Sequence, residues 1–222
     1  SWASQDIYGN YPGYVTSNDM LLMCFYDQDK WVEYMADTCR RLVKTLGLDG
    51  IYLDELGVSF QCYNPTHDHY KRGKFPIDAN GLAKSMTKVR NAMKEVNPNA
   101  ILMTEHAGSD YMTQFYDGSW EQVFYRGAFP FTEKYYSENQ LCYFRFYFPH
   151  FKLSEWGESE HHVNRSFFNG MGMDMGGSPD TDAQRRVGHA MKENGDALAD
   201  LTPEPIVPTD HAKLLANRFD AD

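Results

Sequence analysis

The chain lacks the features that mark nucleic-acid-binding and membrane-spanning proteins. Basic residues are outnumbered, with 21 Lys and Arg against 31 Asp and Glu among 222 residues, so the formal net charge is -10. A nucleic-acid binder needs clustered Lys and Arg, and no such cluster occurs, so nucleic acid is not an expected partner. No apolar run approaches the roughly 18 residues of a membrane span, so a membrane is not expected either.

Cysteine is scarce, and its spacing excludes the usual zinc-binding patterns. The chain has four cysteines, far apart and without a CxxC pair: Cys24, Cys39, Cys62 and Cys142. We expect small core residues, with a disulfide left open. The first residues, Ser1 to Ser4, lack the basic and apolar segments of a signal peptide. Localisation stays open, with a secreted or periplasmic location expected if a leader lies upstream.

What the chain does contain is an alternation of short hydrophobic runs and amphipathic stretches. Helical spacing predicts helices over residues 31–46 and 82–96, and a capping box at Thr181 to Gln184 predicts another through about Leu201. Six strand candidates end near Tyr26, Asp54, Glu105, Arg126, Tyr147 and Gly172. A strand followed by a helix or long loop, repeated, is typical of an α/β fold with a parallel sheet.

The number of strands predicts a particular α/β architecture. An eight-stranded barrel typically needs about 250 residues, so six units predict a TIM-type (β/α)8 barrel fragment covering strands three to eight. No GxGxxG loop follows a strand, which disfavours an open doubly wound sheet. Residues 1–202 are expected to form the partial catalytic barrel. Residues 203–222, which begin with a proline-rich run, are expected to lead toward a C-terminal domain, so the missing N- and C-terminal parts of the same protein are expected partners.

Two of the predicted strands end in a carboxylate. In a barrel strand alternate side chains face the lumen, so Tyr52 and Asp54 should point inward, and Glu105 should lie at the rim on the face of Ile101 and Met103. Neighbouring strands lie about 4.8 Å apart, which suits a glycosidase in which one carboxylate attacks the sugar and the other protonates the leaving oxygen. The run 143–148 alternates so that Arg145 also points inward. There it should meet a carboxylate, either to keep Asp54 ionised while Glu105 keeps its proton, or as a purely structural salt bridge.

These acids lie in recognisable motifs. Asp49 to Asp54 resembles the fourth-strand signature of the alpha-amylase superfamily, glycoside hydrolase clan H, and Thr104-Glu105 is similar to that clan's fifth-strand end. A longer pattern resembles a bacterial family of largely uncharacterised glycosidase-like barrel proteins carrying a domain of unknown function. Its motifs are Trp31, Tyr52 to Glu55, Thr104 to His106, Asp117 to Trp120, Phe168 to Gly170 and Pro203 to Pro205. The resemblance implies a retaining glycoside hydrolase with Asp54 as nucleophile, Glu105 as acid/base, a carbohydrate substrate and no cofactor.

The chain departs from the clan pattern at two places. Tyr52 stands where the clan usually has an Arg. The predicted strand over residues 141–148 would be the seventh, and Phe148-Pro149-His150 stands at its end, where the clan has a transition-state-stabilising Asp. His150, Asp117 or Asp174 are candidates for that second role. The full set of predicted substrate-binding residues is Tyr52, Glu55, His106, Asp110, Asp117, Trp120, Arg145 and His150, with Trp120 either a stacking platform or a core residue.

Three alternatives remain open. Glu55 is a candidate acid for the other large barrel clan, although Glu155 and Glu158 come too late to be its nucleophile. His67 and His69 have ligand-like spacing, but they follow a strand on a loop, where solvated or substrate-facing histidines are more common than metal ligands; metal-dependent hydrolysis would need a metal there. The alternative from a different class is a catalytically inactive barrel that binds glycan or serves as a scaffold.

Overall fold

The structure is a computed structural model of the whole chain. It describes residues 2–11, 13–14, 17–26, 29–54, 56, 61–71, 78–105, 111–121, 147–156, 172–174, 182, 185–186, 188–189, 193, 201–203 and 219–221. The chain forms two units. The first comprises Ser1–Thr104 with Gln114–Tyr116, and the second comprises Glu105–Thr113 with Asp117–Asp222.

The first unit begins with an antiparallel pair rather than with a strand of a parallel sheet. Strand β1 (Gly13–Tyr14) pairs with β2 (Ser17–Leu21), and Met23, just beyond, forms an antiparallel bridge with Ala3. The prediction of a parallel-sheet strand ending near Tyr26 is therefore wrong. Within this apolar run Cys24 and Tyr26 are buried while Leu21 is exposed, and a hydrophobic pattern alone does not distinguish such partial burial from a parallel strand.

Two amphipathic helices pack against each other in this unit. Helix α1 (Asp29–Leu46) buries one face through Val32, Ala36, Cys39 and Val43, and it ends before Gly47, whose φ of 64° is left-handed. Helices α2 (Asp68–Lys71) and α3 (Ala79–Lys94) follow, and the Asp78 carboxylate caps α3 by accepting a 3.0 Å hydrogen bond from the Gly81 backbone nitrogen. Helix α3 buries Leu82, Met86, Val89 and Met93. Both long predicted helices are thus confirmed, although Val96 lies beyond α3 and is partly exposed.

The strands on either side of the α2 and α3 region pair in parallel. Strand β3 (Gly50–Leu53) and strand β4 (Ile101–Glu105) align Gly50 with Ile101 and Leu53 with Thr104. Leu102 and Thr104 are fully buried, and the Thr104 hydroxyl donates a 2.6 Å hydrogen bond to the Leu53 carbonyl. The two strands that were predicted to end in Asp54 and Glu105 are therefore present.

The second unit contains three further parallel strands. A 3₁₀ turn (Met112–Gln114) precedes β5 (Gly118–Glu121), which pairs with β6 (Lys152–Trp156), which in turn pairs with β7 (Gly172–Asp174). Strands β8 (Leu201–Pro203) and β9 (Phe219–Ala221) form an antiparallel pair. The described positions between 182 and 193 are helical, as the capping box predicted, but the predicted end of this helix near Leu201 is wrong, because Leu201 begins β8.

The strands predicted for this region are only partly testable. The predicted strand over residues 141–148 does not extend to Tyr147, which is helical, and the described strand there is β6. The predicted strands at 123–125 and 166–171, and residues 141–146, lie outside the described residues. A mixed α/β fold with parallel strands is confirmed, while barrel closure and the division at residues 202 and 203 stay predictions. None of the helices within the described ranges has the length and apolar character needed to cross a membrane.

Candidate functional site

Asp54 lies at the carboxyl end of β3, immediately after Leu53, and is exposed. The Tyr52 hydroxyl, on a side chain with 42% of its surface exposed, donates a 2.9 Å hydrogen bond to Asp54 Oδ1. Side chains two residues apart on a strand share a face, and this bond joins Tyr52 and Asp54 on one face of β3, while their predicted inward direction stays a prediction. The bond restrains the carboxylate next to the end of the strand.

Glu105 is the last residue of β4 and retains 2% of its surface exposure. The register aligns Tyr52 with Met103 and Leu53 with Thr104, and register partners of parallel strands project to the same side. Leu53 and Thr104 are the last aligned pair; Asp54 directly follows the first and Glu105 directly follows the second. Asp54 and Glu105 therefore occupy equivalent positions along their strands.

A buried tyrosine that the sequence did not single out holds the chain beyond Asp54. The Tyr116 hydroxyl donates a 3.1 Å hydrogen bond to the Leu56 carbonyl. Burial raises the pKa of Tyr116 well above its usual value, and a hydrogen bond with Thr104 opposes that rise only in part. Tyr116 therefore stays a neutral donor and fixes the start of the connection that leaves β3.

The remaining predicted site residues are distributed among strands and turns. Asp117 is half-buried before β5 and its backbone carbonyl accepts a 2.9 Å bond from the Lys152 nitrogen, while Trp120 is half-buried within β5. His150 is exposed in a turn before β6. Asp174 is the last residue of β7, and Glu155 lies in β6. Glu55, His106, Asp110, Arg145 and Glu158 lie outside the described residues.

Four sulphur- and nitrogen-bearing side chains converge in the interior of the first unit. Cys24, Cys62, His67 and His69 expose between 0% and 2% of their surfaces, and one potential ligand atom from each lies within 4.8 Å of those of the others. Cys24 Sγ lies 3.4 Å from His69 Nε2, and Cys62 Sγ lies 3.3 Å from His67 Nδ1. We call these four residues the Cys/His cluster. The expectation that the two histidines are solvated or substrate-facing is wrong, because the short helix α2 and its preceding turn carry both into the interior.

The two cysteines of the Cys/His cluster shift each other's pKa in opposite directions. A hydrogen bond from Cys24 holds the pKa of the Cys62 thiol well below its usual value of 9.0, with further lowering by hydrogen bonds to His67 and His69. The same Cys24–Cys62 hydrogen bond raises the pKa of Cys24, and burial raises it further. Cys62 is therefore the more acidic of the two thiols. Among the described residues, the buried Nδ1 of His69 has no hydrogen-bond partner.

Sequence reasoning missed the cysteines of this cluster because they are separated by 37 intervening residues. The sequence signal that was available is the short spacing Cys62-x4-His67-x-His69, which places all three residues in the connection between β3 and α3. The expectation of buried cysteines is confirmed for Cys24, Cys39 and Cys62, all of which are free thiols. Burial alone raises the pKa of Cys39, which lies on α1 outside the cluster, to about 11.

Comparison with known proteins gives one family match and a structural likeness. The family model described as domain of unknown function DUF6259 matches residues 2–143, which is 142 of the 222 residues. No curated protein matches the chain. The alpha-L-fucosidase isoenzyme 2 from Paenibacillus thiaminolyticus aligns with 89% of this chain at a TM-score of 0.55 and 16% identity. TtGalA, an alpha-galactosidase from Thermus thermophilus in complex with stachyose, aligns with 86% of it at a TM-score of 0.43 and 15% identity.

The chain is much shorter than these two enzymes. It spans 35% of the fucosidase chain and 38% of the galactosidase chain. At 16% identity the likeness to the fucosidase concerns the fold alone. The fold of this chain is therefore glycosidase-like.

Proposed function

The chain belongs to the DUF6259 family, and we propose that this member is a glycoside hydrolase acting on an oligo- or polysaccharide by a two-carboxylate retaining mechanism. Asp54 is the nucleophile and Glu105 the acid/base. The observation that supports this most is the parallel pairing of β3 with β4, in which Leu53 and Thr104 are partners and each is followed by one of the acids. The glycosidase-like fold adds support, since carboxyl ends of parallel strands are where such barrels carry their active sites.

The proposed reaction has two steps. First, a carboxylate oxygen of Asp54 attacks the anomeric carbon while the Glu105 carboxyl gives its proton to the departing glycosidic oxygen, leaving a sugar ester on Asp54. Glu105, now a carboxylate, then takes a proton from water as that water attacks the same carbon and releases Asp54. Each step inverts the anomeric centre, so the product keeps the substrate's configuration, and no cofactor is needed.

The surroundings of the two acids fit these different roles. Burial disfavours the charged form of a carboxyl, and Glu105 is 2% exposed, which suits a residue that must carry a proton in the first step. Asp54 is exposed and accepts the Tyr52 hydrogen bond, which orients one oxygen and leaves the other for attack. Tyr52 thereby supplies a donor at the position where clan H usually has its arginine. Within the same proposal the fold is a TIM-type barrel, and Asp117, Trp120 and His150 contact the sugar.

The test is to measure turnover by the natural protein on a panel of α- and β-linked aryl glycosides, and then by Asp54→Ala and Glu105→Ala variants. General acid–base catalysis contributes roughly 10²- to 10⁴-fold, and loss of the nucleophile should cost at least as much. Asp49→Asn is the matched control, because Asp49 is an exposed carboxylate just before the amino end of the same strand. It should retain the natural rate.

The two variants should differ in a way that identifies their roles. The deficit of Glu105→Ala should grow as the leaving group becomes more basic, because protonation then matters more, whereas the deficit of Asp54→Ala should not depend on the leaving group. Added azide should restore turnover to Asp54→Ala as a glycosyl azide of inverted configuration. Natural rates in either variant would show that the assignment is wrong, and glycan binding without any turnover would favour an inactive, glycan-binding barrel.

A further inference from the structure

We propose that the Cys/His cluster is a structural zinc site in which Cys24, Cys62, His67 and His69 bind one Zn²⁺ tetrahedrally. This inference does not rest on the proposed glycosidase activity. Two thiolates and two imidazoles are a donor set that favours zinc and fills a tetrahedral coordination shell with protein ligands alone. Because no position is left for water or substrate, the site is structural rather than catalytic.

The geometry of the cluster fits a zinc tetrahedron. With Zn–S of about 2.3 Å and Zn–N of about 2.0–2.1 Å, a sulphur and a nitrogen ligand of a tetrahedron lie about 3.5–3.6 Å apart. The two sulphur–nitrogen separations of 3.4 Å and 3.3 Å are slightly shorter than that, and all four ligand atoms lie within 4.8 Å of one another. The imidazoles of His67 and His69 are tilted by 57° with centroids 5.8 Å apart, so they approach each other without stacking. Small side-chain adjustments would bring all four donors onto one ion.

The burial of the cluster favours a bound ion. Cys24, Cys62, His67 and His69 are all buried, and their four potential ligand atoms lie within 4.8 Å of one another, away from water. Burying a charge or an unpartnered polar atom costs free energy unless a partner compensates it. A zinc ion would be such a partner, because cysteine ligands release their protons on binding and the ion neutralises the two thiolates that result.

Hydrogen bonds hold the backbone around the cluster. The Asn64 side chain accepts hydrogen bonds from the backbone and hydroxyl of Thr66, at 3.0 Å and 2.7 Å, and donates to the Ala3 carbonyl at 3.3 Å. The His67 nitrogen donates to the Asn64 carbonyl at 3.1 Å. This turn places Cys62 and His67 on one side of the loop and ties the loop to the segment next to Cys24. A bound ion would thus link the β3-to-α3 connection to the N-terminal segment of the first unit.

The test is metal analysis of the natural protein, purified without an affinity tag and dialysed against metal-free buffer. We expect one zinc per chain by mass spectrometry. In Cys62→Ser, zinc affinity should fall by more than the roughly 10- to 100-fold that loss of an outer-shell partner costs. Cys39→Ser is the matched control, because Cys39 is also buried and free but lies outside the cluster, and it should keep its zinc. A chelator should lower the Tm of the natural protein and of Cys39→Ser, but not that of Cys62→Ser.

A second measurement covers the case in which Cys62→Ser does not fold. Cobalt added to chelator-treated natural protein should give the visible bands of tetrahedral Co²⁺ together with a thiolate-to-cobalt charge-transfer band. Absence of those bands would overturn the proposal. So would a natural protein that is folded without zinc, zinc retained equally by a folded Cys62→Ser, a different metal at one per chain, or a disulfide joining Cys24 and Cys62 in a peptide digest.

Discussion

The alignment of β3 with β4 is testable through Gly50, which starts β3 opposite Ile101. A Cβ added at Gly50 would lie 2.5 Å from Ile101 Cγ1 and 2.7 Å from the Ile101 carbonyl oxygen. The side-chain contact can be relieved by rotation of the isoleucine, whereas the contact with the backbone oxygen requires the two strands to move apart. Next to it, the Ile101 nitrogen donates a 3.0 Å hydrogen bond to the Asp49 carbonyl, so separation would also weaken the first bond of the ladder.

The expected magnitude for Gly50→Ala follows from two opposing effects. Overpacking a close contact costs about 1–3 kcal/mol. Replacing glycine by alanine restricts the unfolded chain and returns about 0.4–1 kcal/mol. The free energy of unfolding should therefore fall by about 1–2 kcal/mol. With a urea m-value of about 2–3 kcal/mol/M, the unfolding midpoint should move down by about 0.5 M.

Two companion variants separate a steric cause from a conformational one. Gly47→Ala introduces a side chain at φ 64° with no atom within 4 Å, so its cost of about 1 kcal/mol should be independent of Ile101. Ile101→Ala, at a side chain 37% exposed, removes Cγ1 but leaves the backbone oxygen, so it should rescue Gly50→Ala only in part. Urea unfolding of the single and double variants gives the coupling free energy, which we expect to be about 0.5–1.5 kcal/mol for Gly50 with Ile101 and near zero for Gly47 with Ile101. A Gly50→Ala variant with natural stability would refute the register and with it the equivalent positions of Asp54 and Glu105, whereas additive effects of Gly50→Ala and Ile101→Ala would assign the cost to the backbone contact alone.

Two further predictions concern single side chains. If Asp54 is the nucleophile, Tyr52→Phe should lower kcat about 10-fold with little change in KM, because a hydrogen bond to a carboxylate contributes about 1.5 kcal/mol or more. Steady-state kinetics, with Tyr34→Phe as the control, would check this. An unchanged kcat would exclude a positioning role for the Tyr52 hydroxyl. The Cys39 thiol has a pKa of about 11 in the fold and 9.0 as a model thiol, so the unfolded chain loses that proton first as the pH rises. The contribution of Cys39 to the free energy of unfolding should therefore fall by on the order of 2 kcal/mol between pH 9 and 11. Urea titrations of the natural protein and Cys39→Ala across this range should diverge, and parallel curves would contradict the prediction.

The helices and two of the strands were predictable because their signals are local. Helix α1 and helix α3 each repeat apolar residues at helical spacing and stop at definite signals, a left-handed Gly47 in one case. Strands β3 and β4 are short, apolar and bounded, and their terminal acids were visible for the same reason. Helices α1 and α3 and strand β4 each bury a face that their own residues define, and β3 is half-buried, so tertiary context had little to override.

The strand predictions that differ from the structure have weaker or misleading local signals. The run that ends at Tyr26 is apolar and partly buried, yet the bridge that Met23 forms is antiparallel and its partner Ala3 lies 20 positions earlier. Strand β6 alternates exposed Lys152 with buried Leu153 and is less apolar than the aromatic run before it, so the sequence did not indicate it. Pairing partners far away in sequence decide such cases, and a single sequence does not reveal them.

Asp54 and three members of the Cys/His cluster, Cys62, His67 and His69, lie on one stretch of chain, the connection from Asp54 to Asp78 between β3 and α3. This connection contains the short helix α2. The described parts of this one are held at three places, by Tyr116 at Leu56, by the cluster at Cys62 to His69, and by the Asp78 cap of α3. A zinc ion at the middle place would hold the loop that departs from Asp54 without occupying the strand end itself. The zinc proposal therefore predicts a stability effect that is separable from catalysis: chelation should loosen the Asp54-to-Asp78 connection whether or not Asp54 proves to be the nucleophile.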